Sequence, residues 1–180
     1  MESSFALATH GKRLWTREKA VSIREAVEKR LQDLEAGDVL VIDLKGVEVF
    51  DFSFANEFFC RLAIRLPTEF VGRFLVVEGL NAYTEENLQR ALESVGVQIV
   101  KRKGSTLSLI GKVHPADQET FQAIARIKGQ NTSAKLAESF GINLTAMNER
   151  LSKLTGLGLV RREKSQSPAG REQYVYSVLS

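Results

Sequence analysis

Along the first 112 residues the hydrophobic pattern switches repeatedly between strand and helix periods. Phe5-Ala-Leu-Ala-Thr9, the turn at His10-Gly11 and Lys12-Arg-Leu-Trp-Thr16 predict a short opening hairpin. Ala20, Ile23, Val27, Leu31 and Leu34 then share one helical face. The N-cap falls at Thr16 or at Ser22, where Ser22-Ile-Arg-Glu25 has capping-box spacing, and Gly37 ends the helix. Val39-Leu-Val-Ile-Asp-Leu44 is a continuous apolar run, the pattern of a strand covered on both faces. Phe54, Phe58, Phe59, Leu62 and Leu66 predict a helix stopped by Pro67, and Arg73–Glu78 predicts another buried strand. Thr84, followed by Glu85 and Glu86, predicts the cap of a helix that buries Leu88, Ala91, Leu92 and Val95 and closes at Gly96. Val97–Lys101 and Leu107–Ile110 predict two more strands. Strands separated by single helices make crossover units, so the expected fold class is α/β with a mainly parallel sheet.

The pattern changes after Gly111-Lys-Val-His-Pro115, which reads as a linker. Three helical segments, about 116–128, 132–140 and 144–155, follow with no strand between them. Leu159–Lys164, the turn Ser165-Gln-Ser-Pro-Ala-Gly170 and Arg171–Leu179 then predict a β-hairpin. Two domains are expected, an α/β domain over 1–111 and a small α+β domain over 112–180.

Composition excludes a disordered or fibrous chain, since 43% of the residues are hydrophobic and 26% charged. No apolar run approaches the ~20 residues of a membrane helix. The opening residues lack the apolar stretch of a signal peptide, and the single Cys60 permits no internal disulfide. The expectation is a soluble cytoplasmic protein with no membrane partner. The net charge of +3 is unevenly placed: residues 1–112 carry 16 basic and 16 acidic residues, and residues 113–180 carry 9 and 6. A basic surplus confined to the second segment permits binding to a polyanion.

Within Thr132-Ser-Ala-Lys-Leu-Ala-Glu-Ser-Phe-Gly141, Ala137 is small where two helices would cross, and Gly141 stands four residues later, where the turn favours a left-handed backbone. With Leu151, Leu154 and the Gly158-Leu-Val160 entry to a hairpin, residues 115–180 resemble the winged helix-turn-helix family of bacterial regulators. Arg150 departs from that pattern, standing where many members bury an aliphatic, and Leu144 takes a position often polar or proline. The resemblance implies that the third helix enters the major groove of double-stranded DNA and presents Thr145, Ala146, Asn148, Glu149, Ser152 and Lys153. Asn148 would read adenine, and Lys153 or Arg150 a phosphate or guanine, while Arg161, Arg162, Lys164 and Arg171 would contact phosphates from the wing. Winged helices also serve as protein-docking or dimerisation modules, and the basic strand could be a solvated face. One recognition helix spans few base pairs, so a homodimer is expected, joined through the winged helix or through an edge of the first domain's sheet.

In the first domain, Val41-Ile-Asp-Leu-Lys-Gly-Val-Glu-Val-Phe-Asp51-Phe-Ser53-Phe-Ala55 resembles the STAS family, the domain of sulfate transporters and anti-sigma factor antagonists, and is nearest to STAS-like domains of unknown function. In antagonists a buried strand is followed by Asp-Ser-Ser-Gly at a helix start. Here Asp51 falls on the Asp, Phe52 on the first Ser, Ser53 on the second and Phe54 on the Gly. The resemblance implies a partner-binding loop in which Ser53 is a phosphoacceptor for an anti-sigma-type kinase. The plain alternative is that Ser53 is the N-cap of the following helix, and the two roles are compatible.

Signals for catalysis are weak. His10 falls in a turn and His114 in the linker, Cys60 lies among core phenylalanines, Trp15 is expected to pack, and Asp43 and Asp51 lack a third partner for a metal. No glycine-rich phosphate loop is present. The expected function is that of a transcriptional regulator without enzymatic activity or cofactor, joining a STAS-like sensing or partner-binding domain to a winged helix. The alternative is a protein-binding adaptor in a partner-switching pathway.

Overall fold

The computed structural model describes residues 1–127 and 131–179. The chain forms two compact units, Met1–Val113 and His114 onward. The first is a mixed α/β unit around a five-stranded sheet. Its strands are β1 (Glu2–Ala6), β3 (Val39–Asp43), β5 (Phe74–Glu78), β6 (Gln98–Lys103) and β7 (Thr106–Gly111), in that spatial order. The first four run parallel, and β7 returns antiparallel to β6. The connecting helices are α1 (Arg17–Asp33), α2 (Phe52–Ala55), α3 (Arg61–Glu69) and α4 (Ala82–Val95).

Each crossover advances the sheet in the same direction, which with right-handed connections puts the helices on one face. The core follows that rule. Ile23 and Val27 of α1, Leu62 of α3 and Leu88 and Leu92 of α4 cluster with Leu40, Ile42, Leu75, Val77, Ile99 and Ile110 of the strands. Val39, Val41, Phe74, Val76, Val100 and Leu109, with the opposite strand parity, are buried too. This double burial is why β3 and β5 read as continuous apolar runs.

Several elements differ from the pattern expected of the sequence. The opening segments form no hairpin: β1 pairs with β3, and the two-residue strand β2 (Arg13–Leu14) pairs in parallel with β4 (Val49–Phe50). Alternation identifies a strand but not its partner, and the 3-10 turn Leu7–His10 carries the chain away while burying Leu7. Of the two candidate caps for α1, Thr16 is used. Its hydroxyl accepts from Lys19 N at 3.4 Å, while Ser22 lies mid-helix. The helix stops before Leu34, and Gly37 serves the next turn at φ +98°, with its N–H bonded to Gly72 O at 2.7 Å.

The helix expected from Phe54 begins two residues earlier and passes Pro67 to end at Glu69. Proline is tolerated there because Pro67 stands in the last turn and only Ala63 O loses its i+4 donor. Between α2 and α3 the helix opens into a π-helical segment, Asn56–Cys60, which turns the adjacent Phe58 and Phe59 both into the core. At α4 the cap is Asn81, not Thr84: Asn81 Oδ1 accepts from Thr84 N at 3.0 Å and Thr84 Oγ1 from Asn81 N at 2.9 Å, a reciprocal capping box. The expected linker is mostly structured, because Gly111 closes β7, Lys112 N still bonds Val97 O, and Pro115 is the first residue of the next helix with His114 as its cap.

The second unit contains α5 (Pro115–Arg126), α6 (Ser133–Phe140), α7 (Leu144–Gly156) and the hairpin of β8 (Arg161–Gln166) and β9 (Glu172–Ser177). The expected last residue of its first helix, 128, lies outside the described residues. Phe121, Ile124, Leu136, Ala137, Met147, Leu151, Leu154, Leu159, Val160, Tyr176 and Leu179 are its buried apolar residues among those described. Asn131 pairs with Tyr176, whose N–H donates to Asn131 O at 2.9 Å, adding a single bridge to the hairpin's edge. Among the described residues, no helix is long and apolar enough to cross a membrane.

Candidate nucleic-acid interface

The geometry of the second unit starts from its turn. Gly141 has φ +62°, a left-handed conformation that costs a glycine little, and the following Ile142 N–H closes back on Ala137 O at 3.1 Å. Asn143 then caps α7, its Oδ1 accepting from Ala146 N at 2.8 Å. Both helix ends are thereby fixed, and Met147, Leu151 and Leu154 anchor α7 inward. The outward face carries Thr145, Asn148, Glu149 and Ser152, all exposed, and the half-buried Ala146.

Leu144, Asn148 and Ser152, one helical turn apart, line a cleft of about 440 Å³ with Ser133 at the start of α6 and with Arg162 and Tyr174 of the hairpin. Register and alternation put Arg162, Lys164, Tyr174 and Tyr176 on one face of the hairpin. The Arg162 guanidinium lies over the Tyr174 ring, 4.6 Å from its centroid. An arginine held over a ring in this way keeps its charge while losing rotamer freedom. Lys164 lies 3.9 Å from the exposed Glu172 carboxylate.

Other residues singled out from the sequence are engaged elsewhere. Lys153 bonds the buried Asp117 of α5 at 2.5 Å. Arg150 is half-buried with its guanidinium 5.9 Å from the Phe140 ring, consistent with its standing at a usually aliphatic position. Arg161 is half-buried and of opposite strand parity to Arg162, so the two adjacent arginines do not act together. Arg171 is exposed in the turn, where its N–H bonds Ser167 Oγ at 3.1 Å. Sequence reasoning missed Tyr174 and Ser133. The alternation of Glu172–Ser177 against the basic strand was the signal for Tyr174.

In the first unit the loop Val49–Ala55 places Asp51, not Ser53, at the N-cap of α2. Asp51 Oδ1 accepts from Phe54 N at 2.7 Å, and Asp51 O accepts from Ala55 N at 3.0 Å. Its extended backbone, φ −83° and ψ 169°, is the conformation a cap requires, and Ser53 is one residue inside the helix, half-buried. Phe52 is 44% exposed beside it, whereas Phe54 is fully buried. Asp43 is likewise occupied, its Oδ1 accepting from Lys45 N at 2.8 Å. Among the described residues no His, Cys, Asp and Glu cluster could hold a metal ion. Cys60 is buried, and that burial pushes its thiol up to about 12. His10 stacks on Phe5, and His114 caps α5. Trp15, expected to pack, is 45% exposed beside Tyr83 and Val49, because it lies on the outer side of the β2–β4 pair.

No protein-family model matches the chain, and no curated protein matches it at a significant level. Among solved structures it is similar to a "Possible transcriptional regulator from Methanosarcina mazei Go1", with 16% identity and a TM-score of 0.34. That alignment covers 38% of this chain, which spans 57% of the solved one.

Proposed function

We propose that the protein is a transcriptional regulator whose second unit binds duplex DNA through α7 and the β8–β9 hairpin. What supports this reading most is the cleft itself: a helix face of short polar side chains, Asn148 and Ser152, stands opposite an arginine clamped on Tyr174. Such a face is polar enough to meet base edges, and Arg162, Lys164 and Arg171 supply the charge that draws a phosphate backbone. On the same reading the first unit is a STAS-like sensing or partner-binding domain, with the Asp51–Ser53 loop as its contact surface, and the chain is cytoplasmic and not an enzyme.

The test is fluorescence anisotropy with labelled duplex fragments at low salt. Wild type binds, and the Arg162→Ala, Lys164→Ala double variant binds every sequence more weakly, with a salt slope flatter by about 0.9 per lost phosphate contact. Absence of binding by folded wild type would replace this reading with the protein-binding adaptor.

A further inference from the structure

The five-stranded sheet of the first unit has two edges, and they are finished differently. At β1 two of the three outward carbonyls are covered by side chains: Arg30 donates to Ser4 O at 2.9 Å, and Thr9 Oγ1 donates to Ala6 O at 2.7 Å. At β7 the parity is set by Lys112, whose N–H bonds Val97 O directly opposite, so the N–H and C=O of Gly111 point away from β6. Gln89 confirms it by capping both, its Nε2 donating to Gly111 O and its Oε1 accepting from Gly111 N, each at 3.0 Å. Alternation gives the same outward direction to Leu109 and Leu107. Neither has a partner for these groups among the described residues, and Thr106–Gly111 carries no charge and no proline. Uncharged edges of this kind invite another strand.

We propose that β7 is where two copies of this chain join, antiparallel, about a twofold axis through Ser108. The occupant is a second copy because the pattern is self-complementary. With Ser108 opposite its own counterpart, Leu107 faces Leu109 of the second copy. Each of the two Leu107–Leu109 pairs exchanges two hydrogen bonds, satisfying every outward group the edge leaves open. Gln89 sets the length of the pairing by closing the ladder at Gly111. The result is a continuous ten-stranded sheet. This pairing does not depend on DNA binding, and its test contains no DNA.

The central Ser108 pair is of the non-hydrogen-bonded kind, with Cα atoms ~4.5 Å apart, within disulfide reach. Full-length Ser108→Cys protein, mildly oxidised, is expected to run as a covalent dimer on a non-reducing gel. Thr106→Cys, whose copies would lie roughly 13 Å apart along the strands, is expected to stay monomeric there. Cys60 is buried and does not compete. In sedimentation, wild type is expected at twice the 20.0 kDa chain mass. Leu107→Pro, at a half-buried position, removes an outward N–H without touching the β6 ladder, and is expected to sediment as monomer with an unchanged circular dichroism spectrum. A monomeric wild type at tens of micromolar overturns the proposal. So does a dimer that survives Leu107→Pro, or equal cross-linking through positions 106 and 108.

Discussion

Lys153 Nζ lies 2.5 Å from Asp117 Oδ2, and of the two only the lysine reaches solvent, with side-chain exposures of 52% and 5%. The carboxylate stands in the first turn of α5, where the helix dipole favours it, yet its burial is costly without a cation. The lysine stem supplies one from α7, tying the helix that presents Asn148 to the body of the unit. Lys153→Met keeps the stem and removes the charge. It is expected to destabilise by about 1–3 kcal/mol in urea denaturation, and adding Asp117→Asn is expected to recover most of that loss. Because the ammonium is committed to Asp117, folded Lys153→Met should change the salt dependence of DNA binding less than Arg162→Ala does.

Base reading and phosphate contact separate by position on α7 and the hairpin. Asn148 is exposed at the middle of the cleft, with both a donor and an acceptor to offer a base edge. Asn148→Ala is expected to shift preference among duplex sequences by about 1–3 kcal/mol while leaving the salt slope unchanged. Arg162→Lys keeps the charge but loses the guanidinium contact with the Tyr174 ring, and is expected to weaken binding to all sequences with the slope nearly intact. Competition titrations with a randomised duplex pool distinguish the two outcomes.

Asp51 and Ser53 divide roles that the sequence offered to one residue. Asp51→Ala removes the bond to Phe54 N and is expected to cost about 0.5–2 kcal/mol. Ser53→Ala, inside the first turn, is expected to lie within about 0.5 kcal/mol of wild type. Thermal denaturation of the two variants checks the assignment. Because Ser53 is dispensable as a cap, any change in partner or DNA binding by Ser53→Asp would report a switch, not lost stability.

The periodic signals that carried the fold were those of continuous burial. Val39–Asp43 and Phe74–Glu78 are apolar on both faces, and Leu88, Ala91 and Leu92 mark α4 without ambiguity. Caps were less legible: the α1 cap stayed open between Thr16 and Ser22, and the single candidates Ser53 and Thr84 both gave way to earlier residues. At α4 Thr84 is a good cap in isolation, but Asn81 three residues earlier makes the reciprocal pair, and at α2 Asp51 outcompetes Ser53 for the same reason of backbone geometry. Partner choice was not legible at all: β1 and β2 each pair with strands more than 30 residues away, which alternation does not encode. For the cleft, the outward residues of α7 came from the resemblance to winged helices. The fates of Lys153 and Arg150 depended on Asp117 and Phe140, neighbours that only the tertiary fold supplies.

Arg102 makes the acid limit of the first unit's stability testable. Its guanidinium donates to both carboxylate oxygens of Glu2, at 2.8 and 3.0 Å, and its Nε donates to Glu78 at 2.7 Å, joining strands β1, β5 and β6. These bonds hold the Glu2 carboxyl below the usual carboxylate range and raise the arginine further above its own. A depressed carboxyl stabilises the fold only while ionised. Its contribution is complete above the unfolded value and lost as pH falls through the lower, folded one. Glu2 is 42% exposed, so at neutral pH the pair is worth roughly 0.2–1 kcal/mol and less in high salt. Glu2→Gln is therefore expected to be slightly less stable than wild type at pH 7 in low salt, with the two curves converging as pH falls into the acid range. Arg102→Lys should behave similarly, because a single ammonium does not replace a fork that serves two carboxylates. Urea denaturation from pH 7 down to pH 3 reads this directly, and a constant offset between wild type and Glu2→Gln over that range would show that the bridge contributes nothing through ionisation.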